Sequence, residues 1–480
     1  MPNRLATADA DLLLGDAARS RSRHSCSLAL VSRDEPWDID RVMEFVDARL
    51  ADAPRFRQRI RYVPFGLARA VWVDDPDFDL SFHVRRSALP APGGIRQLAD
   101  LVARLVDRPL EAGRPLWELY LIEGLADGRL AILTKTHHVL LGGPNAVDLA
   151  QVLMSDERAS AEQDEVATWT PVPSPGDGVL VLDALMTIAT DPLELVRRSA
   201  RLVNAVERAS RGIVGAASLT LLRPPGGLAD MFRTSRPRGS RVGLASFPLS
   251  DARAIARAHD CTVNDVVLAV LCGALRSWIL SCGHPLATSD TLRAIVPMAV
   301  VSESASSEAV ISESAAPEAE EADALGGATS AEIASALIGM PVGEPNPRMR
   351  LAQIAREAAT QRHPREAVGA KSLARLSGFA PPTLHALGSR AAIMLPSDSY
   401  DLVVTNAPGP QHKMFWGDGE LSEVYPVPAL LDGQALAVSM SSYSGIVYYG
   451  FTSDRQAVPD VEEIGELISS ALDELADTAR

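Results

Sequence analysis

The sequence predicts an α/β protein with two large domains, each of which mixes helices and strands. The chain has 480 residues, whereas an ordinary domain has roughly 100–200. Hydrophobic residues make up 47% of the chain, which is enough for two sizeable cores. Helical and strand-like hydrophobic periods occur in both halves. We therefore expect an N-terminal domain over residues 1–175, a helical linker over residues 176–240 and a C-terminal domain over residues 241–480.

The N-terminal half contains a clear helix and a clear strand. In "DIDRVMEFVDARL" apolar residues recur at helical spacing after Asp38, a residue type favoured at helix starts. The run "LAILTKTHHV" over residues 130–139 alternates as a strand does and then enters a loop. The Pro- and Gly-rich stretch "PVPSPGDG" over residues 171–178 predicts the loop that ends this domain.

The predicted linker is helical over residues 179–222 and has a basic side. Its arginines amid Leu, Val and Ile are Arg197, Arg198, Arg201, Arg208 and Arg211. One interpretation is a helix packed on the body of the protein with a solvated basic face. The other is an amphipathic helix that lies on an anionic membrane or lipid surface.

The C-terminal half predicts two helices, a hairpin and a last helix. "DARAIARAHDCTVNDVVLAVLCGALRSWIL" contains two helical patterns separated near Asp260, and the second is apolar enough to be buried. "LAVSMSSYSGIVYYGFTSD" has two strand-like runs about a Ser-Gly turn, which predicts a β-hairpin. The final helix is expected over residues 461–476.

An acidic segment at residues 302–334 differs from the rest of the chain. No Lys, Arg or His occurs between Arg293 and Arg348, and "SESASSEA" recurs as "SESAAPEA". One-sided charge and few aromatic residues predict a disordered insertion rather than a domain. Much of the net charge of −15 lies here, so that charge says little about a substrate.

Composition excludes several classes of protein. An acidic balance argues against a nucleic-acid partner, which favours a basic face. The four cysteines, at positions 26, 261, 272 and 282, have no C-x-x-C spacing, so we expect free thiols and a cytoplasmic location. The first residues lack a basic stretch followed by a long apolar one, so no signal peptide is expected. No uninterrupted apolar run approaches about 18 residues, so no spanning helix is expected.

The histidine pair in "KTHHVLLGGPN" is the main candidate for chemistry. Neighbouring residues on a strand point to opposite faces, so His137 and His138 are poorly placed to bind one metal ion, and we predict no metal site. A catalytic base and a structural histidine both stay open at this point. The sequence has no G-x-S-x-G elbow, no phosphate-binding loop and no dinucleotide-binding turn.

Five motifs in order give the chain a family resemblance. "RPLWELYLIEGLADGRLAILTKTHHVLLGG" resembles the N-terminal domain of the bacterial wax ester synthase/diacylglycerol acyltransferase family, in which H-H-x-x-x-D-G is the signature. Here the signature reads His137, His138, three apolar residues, Gly142 and Gly143. A P-L-W motif is formed by Pro115, Leu116 and Trp117. An actinobacterial triacylglycerol synthase is the expected member.

The C-terminal half has the other motifs. "VNDVVLAVLCGALR" is similar to the family's N-D helix, with Asn264 and Asp265. "LIGMPVGEPNPRMRLAQI" resembles the stretch before its long helix. "DLVVTNAPGP" is similar to its S-N-V-P-G-P motif, of which this chain keeps Asn406, Pro408, Gly409 and Pro410.

The resemblance implies a fold and a reaction. The fold would be two chloramphenicol-acetyltransferase-like domains with mixed sheets and flanking helices, and an active-site tunnel between them. The reaction would transfer a long-chain fatty acyl group from acyl-CoA to diacylglycerol, or to a fatty alcohol. Acyl-CoA would be a substrate, so no cofactor is expected. Peripheral contact with the inner membrane or with lipid inclusions is also expected.

The resemblance implies roles for individual residues. His138 would be the general base, and because a thioester has a good leaving group, no covalent intermediate is required. His137 would position the loop. Asn264 is a candidate oxyanion donor, with a helix-cap role as the alternative. Asp265 would be a first-turn acid of its helix. The Pro-Gly-Pro turn would fix strand geometry, and the P-L-W motif would pack in the core.

Three departures from the family pattern bear on activity. Gly142 replaces the signature aspartate, so an arginine such as Arg293 is expected to find Asp148 or solvent. Val300 and Val301 stand where the family often has an arginine. The segment "RSRSRHSCSLAL" lacks the usual P-M-H-V-like pattern. Two alternatives therefore stay open: a related acyltransferase with another acceptor, and a non-catalytic protein that binds lipid surfaces.

Overall fold

The computed structural model describes most of the chain, with gaps. The described residues are 3–6, 9–10, 13, 24–33, 37–141, 148–158, 169–190, 227–234, 239–300, 332–361 and 399–479. Gly142, Gly143, the five linker arginines, Val301 and most of the acidic segment lie outside them. Predictions that rest on those residues stay predictions.

The N-terminal half alternates strands and helices. Its elements are β1 (Asn3–Arg4), β2 (His24–Ser32), α1 (Ile39–Leu50), β3 (Gln58–Arg61), β4 (Val71–Asp74), α2 (Leu80–His83), β5 (Val84–Ala88), α3 (Ile95–Asp107), β6 (Trp117–Glu123), β7 (Leu130–His137), α4 (Leu149–Leu153), β8 (Met154–Ser155) and α5 (Asp177–Thr190). The helix predicted after Asp38 and the strand predicted at residues 130–139 are confirmed.

The C-terminal half follows the same mixed pattern. Its elements are β9 (Ser240–Pro248), α6 (Leu249–Ala258), α7 (Val263–Ser281), β10 (Leu292–Val300), β11 (Glu332–Met340), α8 (Pro347–Gln361), β12 (Leu402–Pro408), β13 (Phe415–Trp416), β14 (Gly419–Val427), β15 (Leu436–Tyr443), β16 (Ile446–Asp454) and α9 (Val461–Asp477). The two helices about Asp260 and the last helix are confirmed. The hairpin is confirmed too: β15 and β16 pair antiparallel about Ser444 and Gly445, both at positive φ.

The described strands form two large mixed sheets and one small sheet. The order in the first is β5-β6-β7-β2-β14-β13-β8, and in the second β11-β10-β12-β15-β16-β9. A third sheet has the order β1-β4-β3. The first sheet is antiparallel except between β5 and β6, and in the second the β10-β12-β15 pairs are parallel. The α/β prediction is therefore confirmed.

Two strands cross from one half of the sequence into the sheet of the other half. β13 and β14 lie at residues 415–427, yet β14 pairs with β2, and β13 pairs with β8. This exchange was not predicted, because β14 has an ordinary strand pattern that does not indicate which sheet it joins. The N-terminal sheet is thus completed by the C-terminal half of the chain.

The acidic insertion lies between two paired strands and ends earlier than predicted. β10 and β11 pair antiparallel over nine residues each, with Val300 opposite Glu332. Residues 332–334 are therefore strand, and the predicted insertion over residues 302–334 was three residues too long. The acidic Glu332 suggested a continuing insertion, whereas the register of "EIASALIGM" with β10 makes it the first residue of the strand.

Each large sheet packs against helices through its own core. Buried residues of α1 and α3 join the core of the first sheet. Residues of α6, α7 and α9 join the core of the second. By length and composition α7 could cross a membrane, but 72% of its most apolar window is buried within the protein, as is common for a core helix.

Gly450 marks a close approach of the two large sheets. It lies on β16 of the second sheet, and a Cβ atom there would be 1.5 Å from the carbonyl oxygen of Pro426 on β14. The two nearest atoms, the carbonyl oxygen and carbon of Pro426, belong to the backbone and cannot move aside easily. Gly450→Ala is therefore expected to destabilise the fold by about 1–3 kcal/mol or more. Thermal unfolding measures this. Gly113→Ala is the control, since nothing lies within 4 Å of its Cβ position; equal unfolding temperatures for both variants would contradict the expectation.

Candidate active site

The histidine pair lies where β7 ends. His137 is the last residue of β7 and pairs with His24 on β2, while Thr136 pairs with Ser25. Paired residues of antiparallel strands project to the same face, and successive residues alternate. His138 is therefore expected on the face of Ser25, and His137 on the opposite face.

His137 is bonded to the backbone around it. Its Nδ1 accepts the N–H of Val139 at 3.1 Å, and its own N–H donates to the carbonyl of Leu116 at 3.0 Å. The N–H of Leu140 donates to the His137 carbonyl at 2.9 Å. These three bonds shape the turn after β7, which supports the predicted positioning role.

His138 faces a serine that the sequence analysis missed. Its side chain is fully buried, and its Nε2 lies 2.8 Å from Oγ of Ser25, which is also buried. In the tautomer that a general base needs, the Ser25 hydroxyl donates to Nε2. The only sequence signal for Ser25 was its place in "RSRSRHSCSLAL", the segment that departs from the family pattern.

The P-L-W motif supports the histidine turn from inside the core. Pro115, Leu116 and Trp117 are all buried, as predicted. Trp117 Nε1 donates to the carbonyl of Phe56 at 2.6 Å, and its ring stacks on His83 at 4.6 Å between centroids. Because burial lowers the pKa of His83 to about 4, His83 is a neutral core histidine near pH 7.

A buried lysine, Lys135, lies on the face of β7 opposite the one that carries Thr136. Lys135 Nζ donates to the carbonyls of Leu105, at 2.9 Å, and Arg108, at the end of α3. Glu118 Oε2 lies 4.0 Å from the same nitrogen. Burial lowers the pKa of Lys135. These bonds tie the strand that carries the histidines to α3 and limit its movement.

Asn264 lies in the first turn of α7 and does not cap it. The N-cap is Thr262, whose Oγ1 accepts the N–H of Asp265, while Asp265 Oδ2 accepts the N–H of Thr262. The helix-cap alternative for Asn264 is therefore wrong, and the first-turn role of Asp265 is confirmed. Oδ1 of Asn264 instead accepts from Nδ2 of Asn406 at 2.8 Å. This bond leaves the NH₂ end of the Asn264 amide as its donor.

The Pro-Gly-Pro turn joins β12 to the β15–β16 hairpin. The N–H of Gly409 donates to Oγ of Ser442 at 3.4 Å, and the carbonyl of Pro410 accepts the N–H of Ser444 at 3.1 Å. Pro408 is the last residue of β12. The bonds run between backbone and neighbouring strands, which supports a role in strand geometry.

The predicted residues fall into two groups on different sheets. His137, His138 and the P-L-W motif lie on or next to β6 and β7 of the first sheet. Asn406 lies on β12 of the second sheet, and Asn264 lies on α7, which packs in the core of that sheet. Within the described ranges no hydrogen bond joins the two groups, so their shared role, like the tunnel between the halves, stays a prediction. Among those residues, no group of His, Cys, Asp and Glu is arranged to hold a metal ion.

Arg293, which was expected near Asp148 or in solvent, instead lies beside Asp401. Arg293 Nε is 3.7 Å from Oδ2 of Asp401, which also accepts the backbone N–H of Arg293 at 2.9 Å. Arg293 therefore has a carboxylate partner, which immediately precedes the neighbouring strand β12. Asp148 is fully buried at the start of α4, where its N–H donates to Oε1 of Gln151.

Asp148 is expected to make stability depend on pH. Burial raises the pKa of its carboxyl from 3.8 to about 7, against the smaller lowering effect of backbone N–H groups. Its stabilising contribution is fully present below the unfolded pKa and is lost as pH rises from about 4 to about 7, because only the unfolded chain releases the proton there. From pH 5 to pH 8 the native protein should therefore lose unfolding free energy on the order of a few kcal/mol, and Asp148→Asn should not show this loss. Urea unfolding at both pH values measures it, and parallel pH profiles would contradict it.

Family models match most of the chain, in two parts. The wax ester synthase/diacylglycerol acyltransferase catalytic domain matches residues 5–267. The WS/DGAT C-terminal domain matches residues 330–476.

Curated relatives match over the same length. A probable diacylglycerol O-acyltransferase of Mycobacterium tuberculosis, tgs1, is 31% identical over 475 residues, which are 98% of this chain and 95% of the relative. A second from the same organism, tgs2, is 30% identical over 467 residues, 95% of each chain.

Solved structures share the fold. A wax ester synthase/diacylglycerol acyltransferase from Marinobacter aquaeolei VT8 has a TM-score of 0.64 at 23% identity, covering 99% of this chain and 100% of that one. The first condensation domain of the calcium-dependent antibiotic synthetase has a TM-score of 0.51 at 14% identity, covering 100% of this chain and 96% of that one. The predicted two-domain acyltransferase fold is thereby confirmed.

Proposed function

Because the chain belongs to the wax ester synthase/diacylglycerol acyltransferase family, we propose that it moves a long-chain fatty acyl group from CoA to diacylglycerol, with His138 as the general base. The products are triacylglycerol and free CoA, and fatty alcohols are a second class of acceptor. The observation that carries the assignment of the base is the buried imidazole of His138, whose Nε2 faces a hydroxyl at 2.8 Å.

The base is needed because an alcohol is a poor nucleophile. Its pKa lies far above that of any group that is basic near pH 7, whereas a neutral imidazole, with an ordinary pKa of about 6.5, can take the proton as the oxygen attacks the thioester. His138 then returns the proton to the departing CoA sulfur. His137 and the P-L-W motif keep the turn in place through the bonds to Leu116 and Val139.

The negative charge on the carbonyl oxygen needs a donor. Preorganised donors aimed at such an oxyanion are often the largest contribution to catalysis. Asn264 is our candidate, because its amide oxygen already accepts from Asn406 and its NH₂ group therefore remains as a donor. No metal ion or cofactor enters this reaction, since acyl-CoA brings the activated acyl group.

A direct assay tests the function. Purified protein is incubated with palmitoyl-CoA and diolein, and free CoA and lipid products are measured together. Equal amounts of CoA and triacylglycerol support the proposal. CoA release that occurs only with another alcohol would assign the chain to a different acceptor. No turnover with any alcohol would contradict the proposal and favour a protein that only binds lipid surfaces.

We also propose that the protein acts in the cytoplasm at a membrane or lipid-inclusion surface. The support is an apolar face on α5, the described start of the predicted linker helix. Val179, Leu182, Leu185 and Met186 are 51–62% exposed on this helix, while Leu180 and Ala184 are buried against the body. Apolar side chains along one exposed helix face are typical of helices that lie on a lipid surface.

Charge on this face should release the protein from lipid. The double substitution Leu182→Glu/Met186→Glu is expected to weaken vesicle binding at least about tenfold, because each side chain contributes kilocalories when buried in lipid. Flotation with phosphatidylglycerol–phosphatidylcholine vesicles measures the bound fraction. Leu280→Glu, at an exposed apolar residue near the end of α7, is the control. Equal flotation of the native protein and the double variant would contradict the proposal.

A further inference from the structure

We propose that Lys135 and Asp107 are positioning residues, which hold the strand of the histidine pair in a fixed place relative to the second half of the chain. Both act at the end of α3, where Lys135 binds from β7 and Asp107 binds Ser240 on β9. We call these three residues the clamp. The inference rests on the proposed function, because that reaction needs the base after β7 and the oxyanion donor on α7 to act on one substrate.

The first support is that Lys135 closes the C-terminal end of α3. The last carbonyl groups of a helix have no partner within it and carry a partial negative charge. Here the carbonyls of Leu105 and Arg108 accept Nζ of Lys135, whose side chain is fully buried. A buried ammonium group is costly unless it is hydrogen-bonded, so Lys135 cannot easily leave these carbonyls. The strand that ends in the histidine pair is thus fixed to the end of α3.

The second support is that Asp107 binds the second half of the chain from the same helix end. It is the last residue of α3, and its two oxygens accept the N–H and the hydroxyl of Ser240, each at 2.6 Å. An acidic residue at a helix C-terminus is disfavoured by the helix dipole. The helix alone therefore does not explain Asp107, whereas its two bonds to Ser240 and its attraction to the charge of Lys135 do.

The third support is close packing that leads from Ser240 to α7. Ser240 is the first residue of β9, and α9 lies so near this strand that a Cβ atom at Gly243 would be 2.8 Å from a carbonyl oxygen of α9. α9 also lies close to α7, because a Cβ atom at Gly273 would be 3.1 Å from Cβ of Ala471. The first turn of α7 carries Asn264. A fixed β9 therefore helps to fix the helix of the candidate oxyanion donor.

Another contact of α3 with the second half differs from the clamp. Arg96 of α3 pairs with Glu466 of α9, and their side chains are 75% and 61% exposed. Ion pairs in such positions contribute little to stability and are screened by salt. Asp107 is exposed as well, but its bonds end on the buried Ser240, at the first N–H of β9. Arg96 therefore provides a matched control, because its loss breaks a contact between the same two parts of the chain.

Enzyme kinetics provides the first test. Asp107→Ala in the full-length protein removes both bonds to Ser240 and should lower kcat with palmitoyl-CoA and diolein on the order of tenfold or more, since small misplacements of reacting groups are costly. The KM for both substrates should change little, because the clamp does not bind them. Ser240→Ala should lose part of the activity, and Ser240→Thr, which keeps the hydroxyl, should retain it. Arg96→Ala should have native kcat.

Amide hydrogen exchange provides a second test, which needs no turnover. The N–H groups of His137, Leu140 and Leu141 are hydrogen-bonded at the end of β7 and in the turn after it, so their exchange measures local opening there. We expect residues 137–141 to exchange faster in Asp107→Ala than in the native protein and in Arg96→Ala. Unfolding temperatures should stay close to the native value, because removing an acid from the C-terminus of α3 does not weaken the helix itself.

The outcomes separate this inference from the proposed function. If the native protein makes triacylglycerol and Asp107→Ala has native kcat, the clamp is overturned and the acyltransferase stays in place. Native exchange of residues 137–141 in Asp107→Ala, or a Ser240→Thr variant as slow as Ser240→Ala, would overturn the clamp too. A native protein without turnover contradicts the proposed function. The exchange comparison then decides alone, since faster exchange in Asp107→Ala supports the clamp and equal exchange overturns it.

Discussion

Replacing His138 with alanine is expected to lower kcat for acyl transfer between about 10²- and 10⁴-fold. The range follows from what a positioned base contributes to removing a proton from an alcohol. The KM for acyl-CoA should change little, because the proposed role of the imidazole is to take the proton of the attacking hydroxyl and not to bind CoA. Residual activity is expected, since the thioester and the bound acceptor remain close together.

The experiment needs controls for folding, because His138 is fully buried. His138→Gln keeps most of the volume and a hydrogen-bonding group, yet it cannot act as a base near pH 7, so it should lose the same activity. His412→Ala removes an exposed histidine paired with Asp156 and should be silent. Initial rates at saturating palmitoyl-CoA and diolein, with unfolding temperatures for each variant, provide the comparison. A His138→Gln variant with more than about a tenth of native kcat would contradict the assigned role.

The sequence predicted local structure well because local signals fix it. The Ser-Gly dipeptide at Ser444 and Gly445 adopts the positive φ values of a hairpin turn. The two helical patterns about Asp260 correspond to α6 and α7, and the capping box of Thr262 and Asp265 starts α7. The helical period after Asp38 gives α1 its buried face. In each case the residues that decide the structure are neighbours in the chain.

Contacts between distant residues could not be predicted in the same way. Ser25 meets His138 across 113 positions, and Asn406 meets Asn264 across 142. Both contacts depend on which strands pair and in which register. A shift of one residue between β2 and β7 would put Ser25 on the face of His137. The same reason explains why the crossing of β14 into the first sheet was missed.

The family resemblance and the residues answer different questions. The resemblance supplied the reaction and the base. The segment around Ser25 was noted only as a departure from the family pattern, and no role was predicted for Ser25. The structure shows that Ser25, in this departing segment, forms a hydrogen bond with His138, the proposed base. Gly142 is the opposite case, since it lies outside the described residues and its effect on the turn stays a prediction. Departures from a family pattern are therefore best judged by what each replacement residue touches.

Replacing Asn264 with alanine is expected to lower kcat by about 10²- to 10³-fold, the usual effect of losing one oxyanion donor. Asn264→Asp should be as harmful, because it keeps the shape of the side chain and replaces the NH₂ donor with a charged oxygen. Neither change removes the cap of α7, which Thr262 and Asp265 form. The variants should therefore fold, and their loss should appear in kcat.

Asn406, the hydrogen-bond partner of Asn264, provides a second test of this role. Its Nδ2 donates to Oδ1 of Asn264 at 2.8 Å and so sets which end of that amide can donate elsewhere. Asn406→Ala should lower kcat by a smaller factor, since the donor remains but loses its orientation. In a double-mutant cycle the two losses should not add, because Asn406 acts through Asn264.

The control for this cycle is an asparagine that stabilises a helix start. Oδ1 of Asn346 accepts the N–H of Arg348 at the beginning of α8, so Asn346→Ala should lower the unfolding temperature and leave kcat unchanged. Steady-state rates and unfolding temperatures are measured together for the native protein, the two single alanine variants at positions 264 and 406, their double variant and Asn346→Ala. Native kcat in Asn264→Ala would remove this residue from the oxyanion site. Additive losses at positions 264 and 406 would mean that Asn406 contributes by a separate route, since residues that share one function are strongly coupled.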